Sequence, residues 1–348
     1  MAFHGVDALL LNKANSIAYL TGASSHCSWL LLTHDGRQIA LVLEPDYLEY
    51  RRGSILSDIR THRSYYPEAL LQRLRDELGL RAGSLALEME HLRANQYEMI
   101  AKTFGEALHH RVSADTVVEE ARMVKTQEEV DRIRKASDLA KLGMRVARES
   151  AAEGLTERQL AHRVWSSLLE EGAEEASFLY VASDGRSSLV HYPPTDNTLR
   201  NGPVVVDLHV RCEGYFADMA RTVFLQGSSP ESRRAYAYYR NLISETIDAV
   251  TAGMTLAEVR RFFHQRLKAE EDWIPLAGPL IHGVGFNRPE EPRFHFPGGQ
   301  GYAGKLEANM TLASSNVGLY SRKGWGVQYE DTFVVTDGKP LILTLEDR

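Results

Sequence analysis

A seven-position pattern recurs after about a hundred residues, and it limits the fold of this chain more than any other feature. Gly154-Leu155-Thr156-x-x-Gln159-Leu160 reappears as Gly253-Met254-Thr255-x-x-Glu258-Val259. In each copy a Gly stops one long helical pattern. A Thr with Gln or Glu three residues later then opens the next helix as a capping box. Strand-like sequence follows both copies, at Phe178 to Ala182 and around His282. The repeated order of long helix, Gly stop, capped helix and strand predicts an internally duplicated α/β domain. Such a domain suits a site on its pseudo-two-fold axis, supplied by side chains from both halves.

The duplicated part begins near Arg122. Arg122 to Lys125 lead into Thr126-Gln-Glu-Glu129, another capping box. An amphipathic helix to about Ala151 follows, with Val130, Ile133, Ala136, Leu139, Ala140 and Met144 on one stripe. A second long helix is expected from about Pro230 to Val250. Ahead of this part, Gly5 to about Val112 alternates short apolar runs with helical segments. Trp29 to Thr33 and Gln38 to Val42 read as strands around the turn Asp35-Gly36, Ser84 to Met89 as a strand, and Glu68 to Leu78 and Arg93 to Ala107 as helices. The expected architecture is α/β (α+β), with domains at 1–121 and 122–348. The first has no phosphate-cradling Gly-x-Gly-x-x-Gly and no convergent reactive residues, which points to a structural or dimer-forming role.

Composition narrows the function classes. Of 348 residues 43% are apolar and 25% charged, enough for a packed core and incompatible with general disorder. Lys+Arg 40 against Asp+Glu 47 gives a charge of −7, which argues against a nucleic-acid binder. The longest apolar runs, such as Ala8 to Leu11 and Trp29 to Leu32, fall far short of the roughly 20 residues of a membrane span. The first residues have no basic region ahead of a long apolar stretch, so a cytoplasmic location is expected. Two cysteines, Cys27 and Cys212, cannot build a disulfide framework or a Cys-based zinc module.

Chemistry concentrates between His191 and Glu330. In Val204-Val-Val-Asp207-Leu-His209-Val an apolar strand runs into an acid, and Gly214-Tyr-Phe-Ala-Asp218 returns after a turn at Arg211 to Gly214. Asp207 and Asp218 are thus expected to face one another on adjacent strands, where their repulsion calls for a bound cation. His282 heads Ile-His-Gly-Val-Gly-Phe286, whose glycines permit close backbone approach beside a ligand. In Gly326-Val-Gln-Tyr-Glu-Asp-Thr-Phe-Val-Val335, an alternating strand pattern puts Glu330 and Asp331 on opposite faces and leaves open which points inward. Asp, Asp, His and Glu together make an oxygen-rich site suited to manganese, iron, cobalt or zinc. His209, two residues beyond Asp207, shares its face and is a candidate ligand or general base.

These strings, with Asn15-Ser-Ile-Ala-Tyr-Leu-Thr-Gly22 and Arg122-Met-Val-Lys-Thr126, resemble the pita-bread metallopeptidases: prolidase, aminopeptidase P and methionine aminopeptidase. The likeness covers nearly the whole chain and fits the two-domain prolidase and creatinase branch. It implies a creatinase-like first domain, a pita-bread catalytic domain and a homodimer. It also implies one or two divalent ions per chain that activate water against a peptide or amide carbonyl. By resemblance Asp207 chelates the first metal, Asp218 and Glu330 bridge, and His282 binds the second. His191, in Val190-His-Tyr192-Pro-Pro194, matches a family histidine that helps to hold substrate and to stabilise the transition state, and so is a catalytic candidate by resemblance, with Tyr192 beside it; Arg293 matches an arginine near the substrate carboxylate.

The chain departs from that pattern at several positions. The family's fifth ligand, a glutamate, falls at Ser315 or Asn316. Family histidines before and after the metal histidine are here Gly278 and Pro289, and an arginine before the last glutamate is Gln328. The losses bear on the second metal and leave Asp207, Asp218 and Glu330 in place. An Xaa-Pro dipeptidase or aminopeptidase acting on a small peptide is the leading expectation. The alternatives are a specialised small-molecule enzyme, whether a mononuclear-metal lyase, an oxidative or biosynthetic enzyme or a creatinase-like C–N hydrolase, and a catalytically silent binding homologue.

Overall fold

A computed structural model describes residues 5–25, 28–189, 192–200, 202–268, 272–274, 281–294, 301–314 and 318–346. The chain forms two compact units, Met1–Ala121 and Arg122–Arg348. No helix among the described residues is long and apolar enough to cross a membrane.

The first unit is built on a six-stranded mixed sheet. Its strands are β1 (Ala8–Leu11), β2 (Trp29–Thr33), β3 (Gln38–Leu43), β4 (Asp58–His62), β5 (Leu85–Leu87) and β6 (Leu108–Ser113), in the order β4-β3-β2-β1-β5-β6. Between β2 and β3 the chain turns at Gly36, whose φ of 88° only glycine adopts without strain. Helices Glu68–Leu78 and Ala94–Phe104 pack Leu71, Leu74, Ile100 and Phe104 against one sheet face. Ile17, Tyr50 and Val118 cover the other.

The second unit carries the duplication. Its first half has helices Gln127–Ser150 and Glu157–Glu170 over an antiparallel sheet of β7 (Glu175–Ser183), β8 (Pro203–Cys212) and β9 (Tyr215–Phe224). The second half has helices Pro230–Asp248 and Leu256–Arg266 with eight shorter strands. These are β10 (Trp273–Ile274), β11 (His282–Gly283), β12 (Glu290–Arg293), β13 (Thr311–Ala313), β14 (Leu319–Ser321), β15 (Trp325–Val327), β16 (Thr332–Val334) and β17 (Leu341–Ile342), arranged as β10-β14-β15 and β12-β11-β13-β16-β17.

The repeated motif repeats in hydrogen bonding as well. Gly154 N donates to Leu199 O at 3.1 Å and Gly253 N to Leu306 O at 2.8 Å. Leu199 N donates to Leu155 O and Leu306 N to Met254 O, both at 2.7 Å. The two glycines have φ of 90° and 92°. Thr156 and Thr255 each accept from the backbone N–H three residues on, and the Gln159 and Glu258 side chains accept from the threonine N–H groups.

The helices lie on one face of β8 and β9, which frees the other face for a site. Val204, Val206, Leu208 and Val210 of β8 join Ala217, Met219 and Val223 of β9 in the core beneath the first pair of helices. Strand alternation sends Val205, Asp207 and His209, and with them Asp218, Ala220 and Thr222, to the opposite side. In the two-residue turn between these strands Glu213 and Gly214 both have positive φ, as a type I′ hairpin requires.

Candidate metal centre

Register fixes the relation of the acids. His209 lies directly opposite Asp218, and Asp207 opposite Ala220. Asp207 and Asp218 are therefore diagonal neighbours on one face, not the directly facing pair expected from the sequence, and His209 comes between them. Its Nε2 stands 3.2 Å from Asp207 Oδ1 and 3.4 Å from Asp218 Oδ1. The three side chains are buried and can converge on one ion. Asp207 Oδ1 and Asp218 Oδ1 are shielded from solvent and accept no hydrogen bond among the described residues. Two buried carboxylate oxygens in that condition are costly without a cation. The donor set of carboxylate oxygens and imidazole nitrogen fits a divalent transition metal.

Asp218 also serves a second group of donors. Its Oδ2 lies 3.5 Å from His282 Nε2, which is 3.9 Å from Glu330 Oε1, and Asp218, His282 and Glu330 form a second buried cluster. Arg288 reaches the same oxygen, with Nε donating to Asp218 Oδ2. Its side chain is 9% exposed. Burial works against the guanidinium charge, but Asp218, Asp207 and Glu330 outweigh it and hold the pKa above the ordinary arginine value. Burial likewise pushes the Asp218 carboxyl up, while Arg288, His209 and His282 more than reverse this and keep it below the usual carboxylate range.

Glu330 owes its position to a change of strand partner. The continuous strand expected from Gly326 to Val335 is instead two strands, β15 and β16, with Gln328 to Asp331 between them. There Glu330 forms an isolated antiparallel bridge with Ala220 of β9. Two threonines of adjoining segments stitch the join. Thr222 Oγ1 both donates to Gln328 O and accepts from Gln328 N, and Thr332 Oγ1 does the same with Asp218 O and N. Asp331 faces away from the cluster. It pairs with Arg221 Nη2 at 2.6 Å and accepts from Thr344 Oγ1 at 2.7 Å. Arg221 in turn donates to Glu330 O at 2.6 Å and lies 4.0 Å from the centre of the Tyr329 ring. The choice the sequence left open thus falls to Glu330, with Asp331 as its structural neighbour.

The glycines of His282-Gly-Val-Gly285 permit the close approach expected of them, of backbone at Gly283 and of side chains at Gly285. A Cβ on Gly285 would sit 2.3 Å from Glu290 Oε1 and 2.8 Å from Lys125 Cε, and one on Gly283 would meet Glu291 O at 2.4 Å. Glu290 is buried, pairs with Lys125 Nζ at 2.6 Å and accepts from Asn287 N at 3.1 Å. That carboxylate therefore ties the turn carrying Arg288 to the residue just before the long helix. Sequence reading passed over both Glu290 and Arg288. The available signals were the Arg122 to Lys125 motif, read from the sequence only as a boundary and family string, and an arginine six residues beyond His282.

Gln328, at the position of the family arginine, donates from Nε2 to Asp207 Oδ2 at 3.4 Å. Arg293 pairs in backbone register with His282, and its Nε lies 3.3 Å from Glu291 Oε1. Tyr192 is 44% exposed, with Arg186 4.9 Å from its ring centre. Pro289 is exposed. Tyr320 is buried, and burial, with Asp207 and Glu330 nearby, raises its hydroxyl pKa. His191, Gly278, Ser315 and Asn316 lie outside the described residues. Among the described residues no further Asp, Glu, His or Cys joins the second cluster.

Comparison with known proteins places the chain in a family. A model of metallopeptidase family M24 matches residues 131–337, and one of the creatinase/prolidase N-terminal domain matches residues 1–124. The chain belongs to metallopeptidase family M24. An Xaa-Pro dipeptidase of Pyrococcus furiosus is 30% identical over 67% of this chain and 66% of its own length. An Xaa-Pro dipeptidase of Pyrococcus horikoshii is 26% identical over 99% of this chain and 94% of its own. The solved Xaa-Pro dipeptidase from Bacillus anthracis, 20% identical, superposes with a TM-score of 0.88 over 100% of this chain and 95% of that one, which shows a shared fold. This M24 chain is an enzyme of the metallohydrolase type. The lyase, creatinase-like and silent alternatives are not favoured by these relatives.

Proposed function

We propose that this M24 enzyme hydrolyses Xaa-Pro peptides, as a dipeptidase or aminopeptidase, in the cytoplasm and as a homodimer. The observation that carries the metal-dependent part is the pair of buried carboxylate oxygens on β8 and β9 that accept no hydrogen bond among the described residues, flanked by His209. The Xaa-Pro part draws on the relatives of that name. Asp207, His209 and Asp218 would hold a divalent ion, with His282 and Glu330 completing the centre. One or two ions are compatible with the family, and manganese, iron, cobalt or zinc with the donor set.

When bound, such an ion supplies a water of lowered pKa and polarises the scissile carbonyl. Glu330 is the candidate general base, its carboxylate placed opposite the Asp207 end by the bridge to Ala220. Gln328 orients Asp207 through its 3.4 Å hydrogen bond. His191 and Tyr192 are assigned to substrate binding, and Arg293 to the substrate carboxylate. His209 serves as ligand in this reading and not as general base, because its Nε2 is directed at both aspartates.

The test uses metal-depleted protein reloaded with Mn²⁺ or Co²⁺. It is assayed against Xaa-Pro dipeptides, longer peptides beginning Xaa-Pro, and matched peptides lacking proline. Cleavage confined to the proline substrates and abolished by chelation is expected. If none of the proline substrates is cut by the metal-loaded protein, the substrate assignment fails.

A further inference from the structure

We propose that Arg288 is this enzyme's built-in second cation, so that the centre takes one divalent ion, held at the Asp207, His209 and Asp218 end. The proposal rests on the metal-dependent reading above and adds a count and a location to it. Three observations carry it.

The first is position. Asp218 turns one oxygen toward each cluster. Its Oδ1 faces His209 and Asp207 and accepts no hydrogen bond among the described residues, whereas its Oδ2 accepts from Arg288. A guanidinium already engages the carboxylate oxygen through which Asp218 would join His282 and Glu330 around a second ion.

The second is charge balance. Asp207, Asp218 and Glu330 supply three negative charges in a region where each is 1% exposed or less. One divalent ion and one guanidinium neutralise them. Two divalent ions beside a guanidinium would leave two uncompensated positive charges in the interior, where a net charge is heavily penalised. The sequence lacks the fifth-ligand carboxylate that would offset part of that excess, since Ser315 or Asn316 stands at its position.

The third is support. Arg288 is held by a built turn. Glu290, paired with Lys125, accepts from Asn287 N, and Gly285 O accepts from Phe216 N at 2.8 Å, two residues before Asp218. A Cβ on Gly285 would displace the Glu290 and Lys125 side chains from the positions they hold there. The turn thereby fixes the guanidinium against β9 by contacts that involve no metal.

The experiment is a metal count on the full-length protein. Apo protein is equilibrated with Mn²⁺, bound metal is measured by mass spectrometry, and the electron paramagnetic resonance spectrum is recorded. Wild type should bind one tight ion per chain with the spectrum of an isolated Mn²⁺. Arg288→Ala should take up a second ion at high Mn²⁺ and show the exchange-coupled spectrum of a pair, while Arg288→Lys, which keeps the charge, should remain at one. His209→Ala should weaken the tight ion more than His282→Ala does, with a loss on the order of 100-fold or greater. Two tightly bound ions with a coupled spectrum in wild type would overturn the proposal and leave the metallohydrolase reading intact. So would an Arg288→Ala protein that stays at one ion, or a larger loss in His282→Ala than in His209→Ala. Wild type that binds no ion sinks both. If Arg288→Ala fails to fold by circular dichroism, the wild-type count and the two histidine variants still decide.

Discussion

The two ends of the centre are held in different ways. At one end Asp207, His209 and Asp218 stand on two long, paired strands whose register alone brings them together. At the other, His282 and Glu330 come from a two-residue strand and an isolated bridge, and ion pairs do the positioning: Lys125 with Glu290, and Arg221 with Asp331. The motif that stops one helix and caps the next is duplicated hydrogen bond for hydrogen bond in the two halves. The divergence therefore lies in the loops and short strands near the site, and the two ends should respond to different perturbations.

The largest effect is expected at the end held by ion pairs. Lys125→Met leaves Glu290 charged and buried without its closest cation, and breaking a pair of this kind costs about 3–5 kcal/mol. Urea unfolding should show that loss equally with and without Mn²⁺. A loss that vanished once metal was added would mean that the Arg288 turn is organised by the ion, and the contrast between the ends would collapse.

Metal removal should act on the other end. A ligand at about a hundred times its Kd stabilises the folded state by about 2.7 kcal/mol, so chelation should lower the melting temperature of wild type. Asp207→Asn should abolish the metal-dependent part. Its apo form should melt no lower than apo wild type, because the substitution removes one of two neighbouring buried carboxylates. An apo Asp207→Asn protein clearly less stable than apo wild type would assign Asp207 a structural partner in place of a metal.

The contrast also explains what could be read from the sequence. Periodicity found β2, helix Glu68–Leu78 and helix Gln127–Ser150 to within a residue or so, because each is local and carries its own turn or cap. Asp207, His209 and Asp218 were legible for the same reason: alternation along a hairpin fixes their common face. Arg288 and Glu290 were not, because their significance depends on Lys125, 165 residues away in sequence. Nor could alternation foresee that Gln328 to Asp331 would leave one strand partner for another.

The first residue of each repeated helix offers a further comparison. Glu157 and Leu256 both follow the capping Thr and both are fully buried. Leu256 joins the apolar core, whereas Glu157 accepts from Ser183 N at 2.8 Å, Thr195 Oγ1 at 2.7 Å, Thr195 N at 3.1 Å and Arg186 Nε at 3.2 Å. It thus ties down the chain on both sides of His191. Burial pushes its carboxyl up, but these hydrogen bonds prevail and the pKa is lowered. A lowered folded-state pKa gives stability that is present above the ordinary carboxylate range and is lost as the pH falls through the folded value. Glu157→Gln should cost about 1–3 kcal/mol at neutral pH, and the gap to wild type should narrow in acid. If His191 contacts substrate as proposed, kcat/KM should fall as well. A gap that stayed constant down to acid pH would show that the charge of Glu157 is immaterial.

The smallest predicted effect tests the premise of the comparison, that the two halves share one scaffold. Thr156 and Thr255 make the same cap, accepting from Gln159 N at 3.1 Å and Glu258 N at 3.3 Å, and each also forms an isolated antiparallel bridge, to Thr198 and Lys305. Replacing a capping Thr by Ala typically costs about 1 kcal/mol. Because the backbone bridges do not depend on the side chain, Thr156→Ala and Thr255→Ala should each lose about that amount, and the double variant the sum, since the two caps share no partner. Near-equal losses measured by urea unfolding, with metal content unchanged in both variants, would locate the divergence of the halves in the site loops. If Thr255→Ala cost nothing while Thr156→Ala cost its full share, asymmetry would already exist in the frame, and the different ends of the centre would follow from unequal halves and not from local substitution at Arg288.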